Sequence, residues 1–122
     1  MIYIFLVDDE KPALHELESS LPGEKDFNIT GMFSNPVEAP ATAGMQQPEM
    51  AFLDIQMPVV NGVQAAFRVL ESSPKTFIVF VTAYDNYAVD AFELHALDYL
   101  LKPIKPIRLA KTLQRIRQVK PT

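Results

Sequence analysis

The sequence predicts an α/β fold in which five βα units build one doubly wound parallel sheet. Short apolar runs rich in β-branched and aromatic residues alternate with stretches of helical spacing, the pattern of βαβ units. The first run, Ile2-Tyr3-Ile4-Phe5-Leu6-Val7, is apolar throughout, as a strand covered on both faces should be. Five such units within 122 residues imply a single domain over residues 1–122, most simply a flavodoxin-like sheet in the order 2-1-3-4-5.

The elements follow in order. After the first strand, Leu14, Leu17 and Leu21 share one helical face, with Pro12 tolerable in the first turn. Phe27, Ile29, Gly31 and Phe33 alternate with their neighbours, which suggests a less buried strand near an edge and fits the second strand of the proposed order. Asn35-Pro36 looks like a helix start, but Pro40 and Gly44 interrupt the pattern, so a short or distorted second helix is expected. Met50 to Leu53 is a third strand. Val63, Ala66, Phe67 and Leu70 form an amphipathic stripe after the Asn61-Gly62 turn. Phe77 to Val81 is a fourth strand, followed by a fourth helical face of Ala88, Ala91, Phe92 and His95. Tyr99 to Leu101 is a short fifth strand, and Leu109, Leu113 and Ile116 line a fifth helix.

Composition narrows the function. The hydrophobic content of 48% and charged content of 21% suit a globular protein and are too apolar for disorder. The net charge of −4 argues against this chain holding nucleic acid by phosphate neutralisation. No cysteine is present, so disulfide and thiolate-metal scaffolds are excluded. The apolar start lacks a basic region before it and meets Asp8-Asp9-Glu10 at once, so it reads as a strand rather than a signal peptide. No apolar run approaches the ~18 residues of a membrane helix, and a cytoplasmic location is expected.

The chemistry gathers at the strand ends. Ligands in open parallel sheets bind beyond the carboxyl ends of the strands. Four strands end in Asp8-Asp9, Asp54, Thr82 and Lys102, and the proposed order makes these ends neighbours. Taken singly, each residue has a plainer reading: a helix cap, a loop acid or a surface cation. Together they place three carboxylates, a hydroxyl and an ammonium in one pocket. Carboxylates ~5 Å apart repel by roughly 3 kcal/mol per pair at an effective dielectric of 20, so a compensating cation is required. Lys102 supplies one charge and a divalent ion the rest. All the candidate ligands are oxygens, which suits Mg²⁺ and disfavours zinc. His15 and His95 lack ligand spacing and read as structural, His95 closing the fourth helical face.

Val-Asp-Asp-Glu at 7–10, Leu-Asp-Ile-Gln-Met-Pro at 53–58, Asn-Gly at 61–62, Thr-Ala at 82–83 and Lys-Pro at 102–103 resemble the receiver domains of two-component response regulators over essentially the whole chain. Residues 82–103 are similar to receivers that precede LytTR-type or bacterial transcriptional-activator output domains. The resemblance implies that Asp54 is the phosphoacceptor and that a sensor histidine kinase or a small acyl phosphate is the donor. It implies Mg²⁺ held by Asp9, Asp54 and the backbone carbonyl of Gln56, with Asp8 acting directly or through water. Thr82, the N–H of Ala83 and Lys102 would bind the phosphoryl group, Tyr99 would turn inward as part of the switch, and Lys102-Pro103 would be cis. Such a protein is a signalling phosphoacceptor that catalyses only its own phosphoryl transfer and slow dephosphorylation. Its output would be transcriptional, through a domain that could lie C-terminal in a longer parent.

Val59-Val60 departs from the family, in which a glycine often follows Met-Pro. A haloacid-dehalogenase-like phosphohydrolase would also use an aspartate nucleophile, Mg²⁺, a hydroxyl and a lysine, but its motif wants an acid where Gln56 stands. A degenerate receiver that only binds partners is at odds with the intact Asp54, Thr82 and Lys102. Asp85, Asp90 and Glu93 near the fourth helix and Arg108, Lys111 and Arg115 on the fifth form an acidic and a basic face. They predict a homodimer through the fourth-helix, fifth-strand and fifth-helix surface.

Overall fold

The computed structural model describes residues 1–21, 25–57, 60–83 and 95–119. Five parallel strands, β1 (Ile2–Val7), β2 (Phe27–Phe33), β3 (Met50–Asp54), β4 (Phe77–Thr82) and β5 (Asp98–Leu101), lie in the order β2-β1-β3-β4-β5. This is the flavodoxin-like arrangement predicted from the sequence. β1, β3 and β4 are central and almost wholly buried, which is why they read as unbroken apolar runs. β2 is an edge strand, half-buried along most of its length, and its pairing with β1 shifts register between Ile4 and Phe5.

Two apolar layers hold the sheet between helices. On one face Ile4, Leu6, Phe52 and Val79 pack on Leu14 and Leu17 of α1 (Lys11–Ser19) and on Leu109, Leu113 and Ile116 of the last helix, α4 (Pro106–Val119). On the other face Phe5, Leu53 and Phe80 pack on α2 (Ala39–Gln46) and α3 (Gly62–Ser72). Among the described residues, no helix is long and apolar enough to cross a membrane.

Three sequence expectations are corrected. The second helix is short, as expected, but it does not start at Asn35-Pro36. The Asn35 side chain accepts the Val37 N–H at 3.1 Å and closes a turn there. The helix begins at Ala39, with Pro40 in its first turn, where a missing N–H has no partner to lose. Pro40 therefore opens the helix rather than breaking it.

The α3 stripe is rotated. Ala65, Ala66 and Val69 face the core, Val63 and Leu70 are half-buried at its margin, and Phe67 is 54% exposed. Small side chains take the buried positions because α2, which presents Ala39 and Ala43 to the same core, packs beside α3.

His95 is exposed with a left-handed φ of 56°, so it cannot close a buried right-handed helical face. The other residues assigned to that face, Ala88, Ala91 and Phe92, lie outside the described residues, as do Asp85, Asp90 and Glu93. His15 is exposed on α1, 3.5 Å from the Glu18 carboxylate.

Candidate functional site

The strand order delivers the predicted acidic residues to one place. Asp8 and Asp9 follow β1, Asp54 ends β3, and Lys102 follows β5. Asp8, Asp9 and Asp54 each offer a carboxylate oxygen, all within 4.8 Å of one another. Asp8 and Asp54 are buried, and Lys102 reaches between them, its Nζ 2.9 Å from Asp8 Oδ2 and 3.6 Å from Asp54 Oδ2. The Glu10 N–H donates to the other Asp8 oxygen at 3.0 Å. Both oxygens of Asp8 are thus engaged within the protein. Asp9 differs: its Oδ1 is buried and has no hydrogen-bond partner.

Thr82, fully buried, ends β4 one residue beyond Val81, the register partner of Asp54. The Lys102 N–H donates to the Thr82 carbonyl at 2.8 Å, which fixes the lysine backbone against the end of β4. Lys102-Pro103 is cis, as expected. Gln56 and Ala83 are exposed beside the pocket, and the Gln56 N–H donates to the Asp54 carboxylate. Tyr99 is half-buried, packs against the core layer that includes Phe80, and lies three residues before Lys102. A cavity of about 270 Å³ opens from Asp8, Asp54 and Lys102 beneath Leu14 of α1.

The electrostatics follow from three carboxylates facing one ammonium. Burial, and then the charge of Asp8, push Asp54 up to about 6 from an ordinary 3.8, with Lys102 opposing. Burial and Asp8 also raise Asp9. Burial pulls Lys102 down, but its hydrogen bond to Asp8 and the charge of Asp54 outweigh this and hold it above an ordinary lysine. The pocket is short of positive charge. Converging carboxylate oxygens of Asp8, Asp9 and Asp54, together with a buried Asp9 Oδ1 that has no hydrogen-bond partner, suit a hard divalent cation such as Mg²⁺.

A second polar cluster was not anticipated. Asp98, buried at the start of β5, receives Arg108 Nη2 at 2.5 Å and Nη1 at 2.8 Å, Arg115 Nη1 at 3.0 Å, the Thr112 hydroxyl at 2.6 Å and the Tyr99 N–H at 2.8 Å. Burial alone would raise Asp98, but the hydrogen bonds from Arg108, Thr112 and Tyr99 hold it below the usual carboxylate range. Arg108 and Arg115 are therefore not a free basic face, because their charge is already directed at a carboxylate of the same chain. The available signal was the threonine one turn beyond Arg108, on the buried side of α4.

This fold and its acidic strand-end pocket are those of a receiver domain. The chain belongs to the response regulator receiver domain family, whose profile matches residues 4–114. It is 48% identical over 118 residues to an uncharacterized response regulatory protein of Shewanella oneidensis, covering 97% of this chain and 50% of that protein. It is 47% identical over 118 residues to the transcriptional regulatory protein BtsR of Salmonella typhi, covering 97% and 49% respectively. The chain thus spans about half the length of these curated relatives. Among solved structures, the response regulatory domain of protein mrkE from Klebsiella pneumoniae is similar, with a TM-score of 0.87, 33% identity and 96% of each chain covered.

Proposed function

We propose that Asp54 accepts a phosphoryl group and that the domain passes on the resulting change of charge as a change of shape. The observation that carries this reading is the place of Asp54, buried at the end of β3 among Asp8, Asp9 and Lys102. Mg²⁺ would be held by Asp9, Asp54 and the Gln56 carbonyl, with Asp8 binding directly or through water. When bound, it supplies the positive charge that the three carboxylates lack and neutralises charge on the phosphoryl oxygens.

An Asp54 oxygen attacks phosphorus while the bond to the donor's nitrogen or acyl oxygen breaks, leaving an acyl phosphate on Asp54. The Lys102 ammonium turns from Asp8 towards a phosphoryl oxygen, while Thr82 and the Ala83 N–H donate to the others. Water later cleaves the acyl phosphate, so the domain acts as a signalling phosphoacceptor that catalyses its own phosphoryl transfer and slow dephosphorylation. The domain would act in the cytoplasm with a sensor histidine kinase as donor, and a transcriptional output domain would lie in a longer parent protein. Exposed Leu101, Ile107 and Lys111 on β5 and α4 would carry the homodimer contact, now without Arg108 and Arg115.

Acetyl phosphate with Mg²⁺ should add one phosphoryl group by intact mass, and Asp54→Asn should abolish it. A label that persists in that variant would falsify the assignment.

A further inference from the structure

We propose that Gly62 is a positioning residue for Asp54, a role that rests on Asp54 being the phosphoacceptor. The first turn of α3 is seated on the peptide that joins Asp54 to Ile55. A Cβ built on Gly62 would lie 2.1 Å from the Asp54 carbonyl oxygen, 2.7 Å from Ile55 Cα and 2.8 Å from the Asp54 carbonyl carbon. All three neighbours are backbone atoms, so no side chain can swing away to make room.

The seat is held by hydrogen bonds. The Gly62 N–H donates to the Ile55 carbonyl at 2.9 Å, and the Met57 N–H reaches the same oxygen at 3.0 Å. Asn61 fixes the helix start by a reciprocal cap, accepting the Gln64 N–H at 2.9 Å while its own N–H donates to Gln64 Oε1 at 3.3 Å. The loop after Asp54 thus returns to press α3 onto the strand end that carries the acceptor.

Space, and not conformation, requires the glycine, because its φ lies outside the left-handed region. Helix propensity alone would favour alanine over glycine within a helix. Any loss in Gly62→Ala therefore comes from contact with the Asp54–Ile55 peptide. Relieving that contact needs a separation of about 1 Å, and misplacing a reacting group by that much costs on the order of 100-fold in rate. Gln56, two residues beyond Asp54, would shift with it.

The test compares Gly62→Ala with Val69→Ala, which hollows the core two turns further along α3. Phosphorylation by acetyl phosphate at saturating Mg²⁺ is followed by intact mass, beside urea stability. Gly62→Ala should be slowed 10- to 100-fold while folded, and Val69→Ala should stay within twofold of wild type despite its lower stability. Because Gly62→Ala could fail to fold, the same change is also made in an Asp54→Asn background, and its backbone amide shifts are compared with those of Asp54→Asn alone. Shifts concentrated at residues 54–57 support the displacement, whereas unmoved amides overturn it. So does a Gly62→Ala rate within twofold of wild type. A wild-type protein that takes no phosphoryl group overturns the reading of Asp54 instead.

Discussion

Replacing Asp54 by asparagine should stabilise the metal-free domain at neutral pH, although it removes a partner of Lys102. The folded value for Asp54 is about 6 against an ordinary 3.8, so between those values the native state holds a proton that the unfolded chain releases. Stability therefore falls as pH rises through that window, and the penalty is complete above it. The shift corresponds to roughly 3 kcal/mol at about 1.4 kcal/mol per tenfold change in proton affinity. Asp54 is only 5% exposed, so solvent relieves little of this. Asparagine keeps the shape of the protonated acid and carries no charge, which makes roughly 3 kcal/mol the expected ceiling. Urea denaturation of both proteins in a chelator at pH 7.5 should show the variant more stable by roughly 2–3 kcal/mol. At pH 4 the difference should nearly vanish. Saturating Mg²⁺ should also narrow the gap, since a ligand at 100 times its Kd stabilises the wild type by about 2.7 kcal/mol. An asparagine variant no more stable than wild type at pH 7.5, or a difference that ignores pH, would refute the reasoning.

Three further outcomes are expected. Asp9→Ala should weaken Mg²⁺ binding in calorimetry more than Asp8→Ala, because Asp9 has an unengaged oxygen while Lys102 and the Glu10 N–H already hold Asp8; equal losses would count against this division of roles. Asp98→Ala should cost roughly 2–3 kcal/mol in urea at pH 7, somewhat below the 3–5 kcal/mol of a fully buried broken pair because both guanidiniums keep solvent access. Because the folded value of Asp98 is depressed, its contribution is present above 3.8 and fades as pH falls through that lower value; a loss unchanged at pH 2 would contradict it. In a beryllofluoride-bound structure, where beryllofluoride stands in for the phosphoryl group, Tyr99 should be more buried than the half-exposed ring seen here; an unchanged ring would remove it from the switch.

The strands were legible because burial on both faces leaves an unbroken apolar run, and β2 was legible as an edge because it alternates. The four strand ends were legible as one site because parallel topology makes them neighbours. What the sequence hid was set mostly by contacts distant along the chain, and in one case by a local turn. Phe67 looks like a core residue by size and spacing, yet α3 turns small residues inward beside α2. Pro36 and Pro40 are equally able to open a helix, and the Asn35 turn decides between them. Arg108 and Arg115 look like free surface cations until β5 brings a buried carboxylate beneath them.

That last cluster constrains how a phosphoryl group could be felt elsewhere. β5 is four residues long, and a charged group anchors each end. At its start Asp98 is saturated by Arg108, Arg115, Thr112 and the Tyr99 N–H, which binds the strand to α4. At its end Lys102 is held by Asp8 and, through its backbone N–H, by Thr82. On the proposed reading, phosphorylation changes the charge only at the second anchor. Lys102 must then exchange partners while Asp98 keeps all of its own. A rigid swing of α4 would break the ion pairs to buried Asp98, a loss for which nothing at the phosphoryl site compensates. The cheaper response is confined to Thr82, to the segment from Tyr99 to Lys102, and to whatever packs on their outer side. Asp98→Asn, which keeps the shape and weakens the anchor, should therefore spread activation-induced amide shifts into α4, whereas in the wild type they should stop at β5.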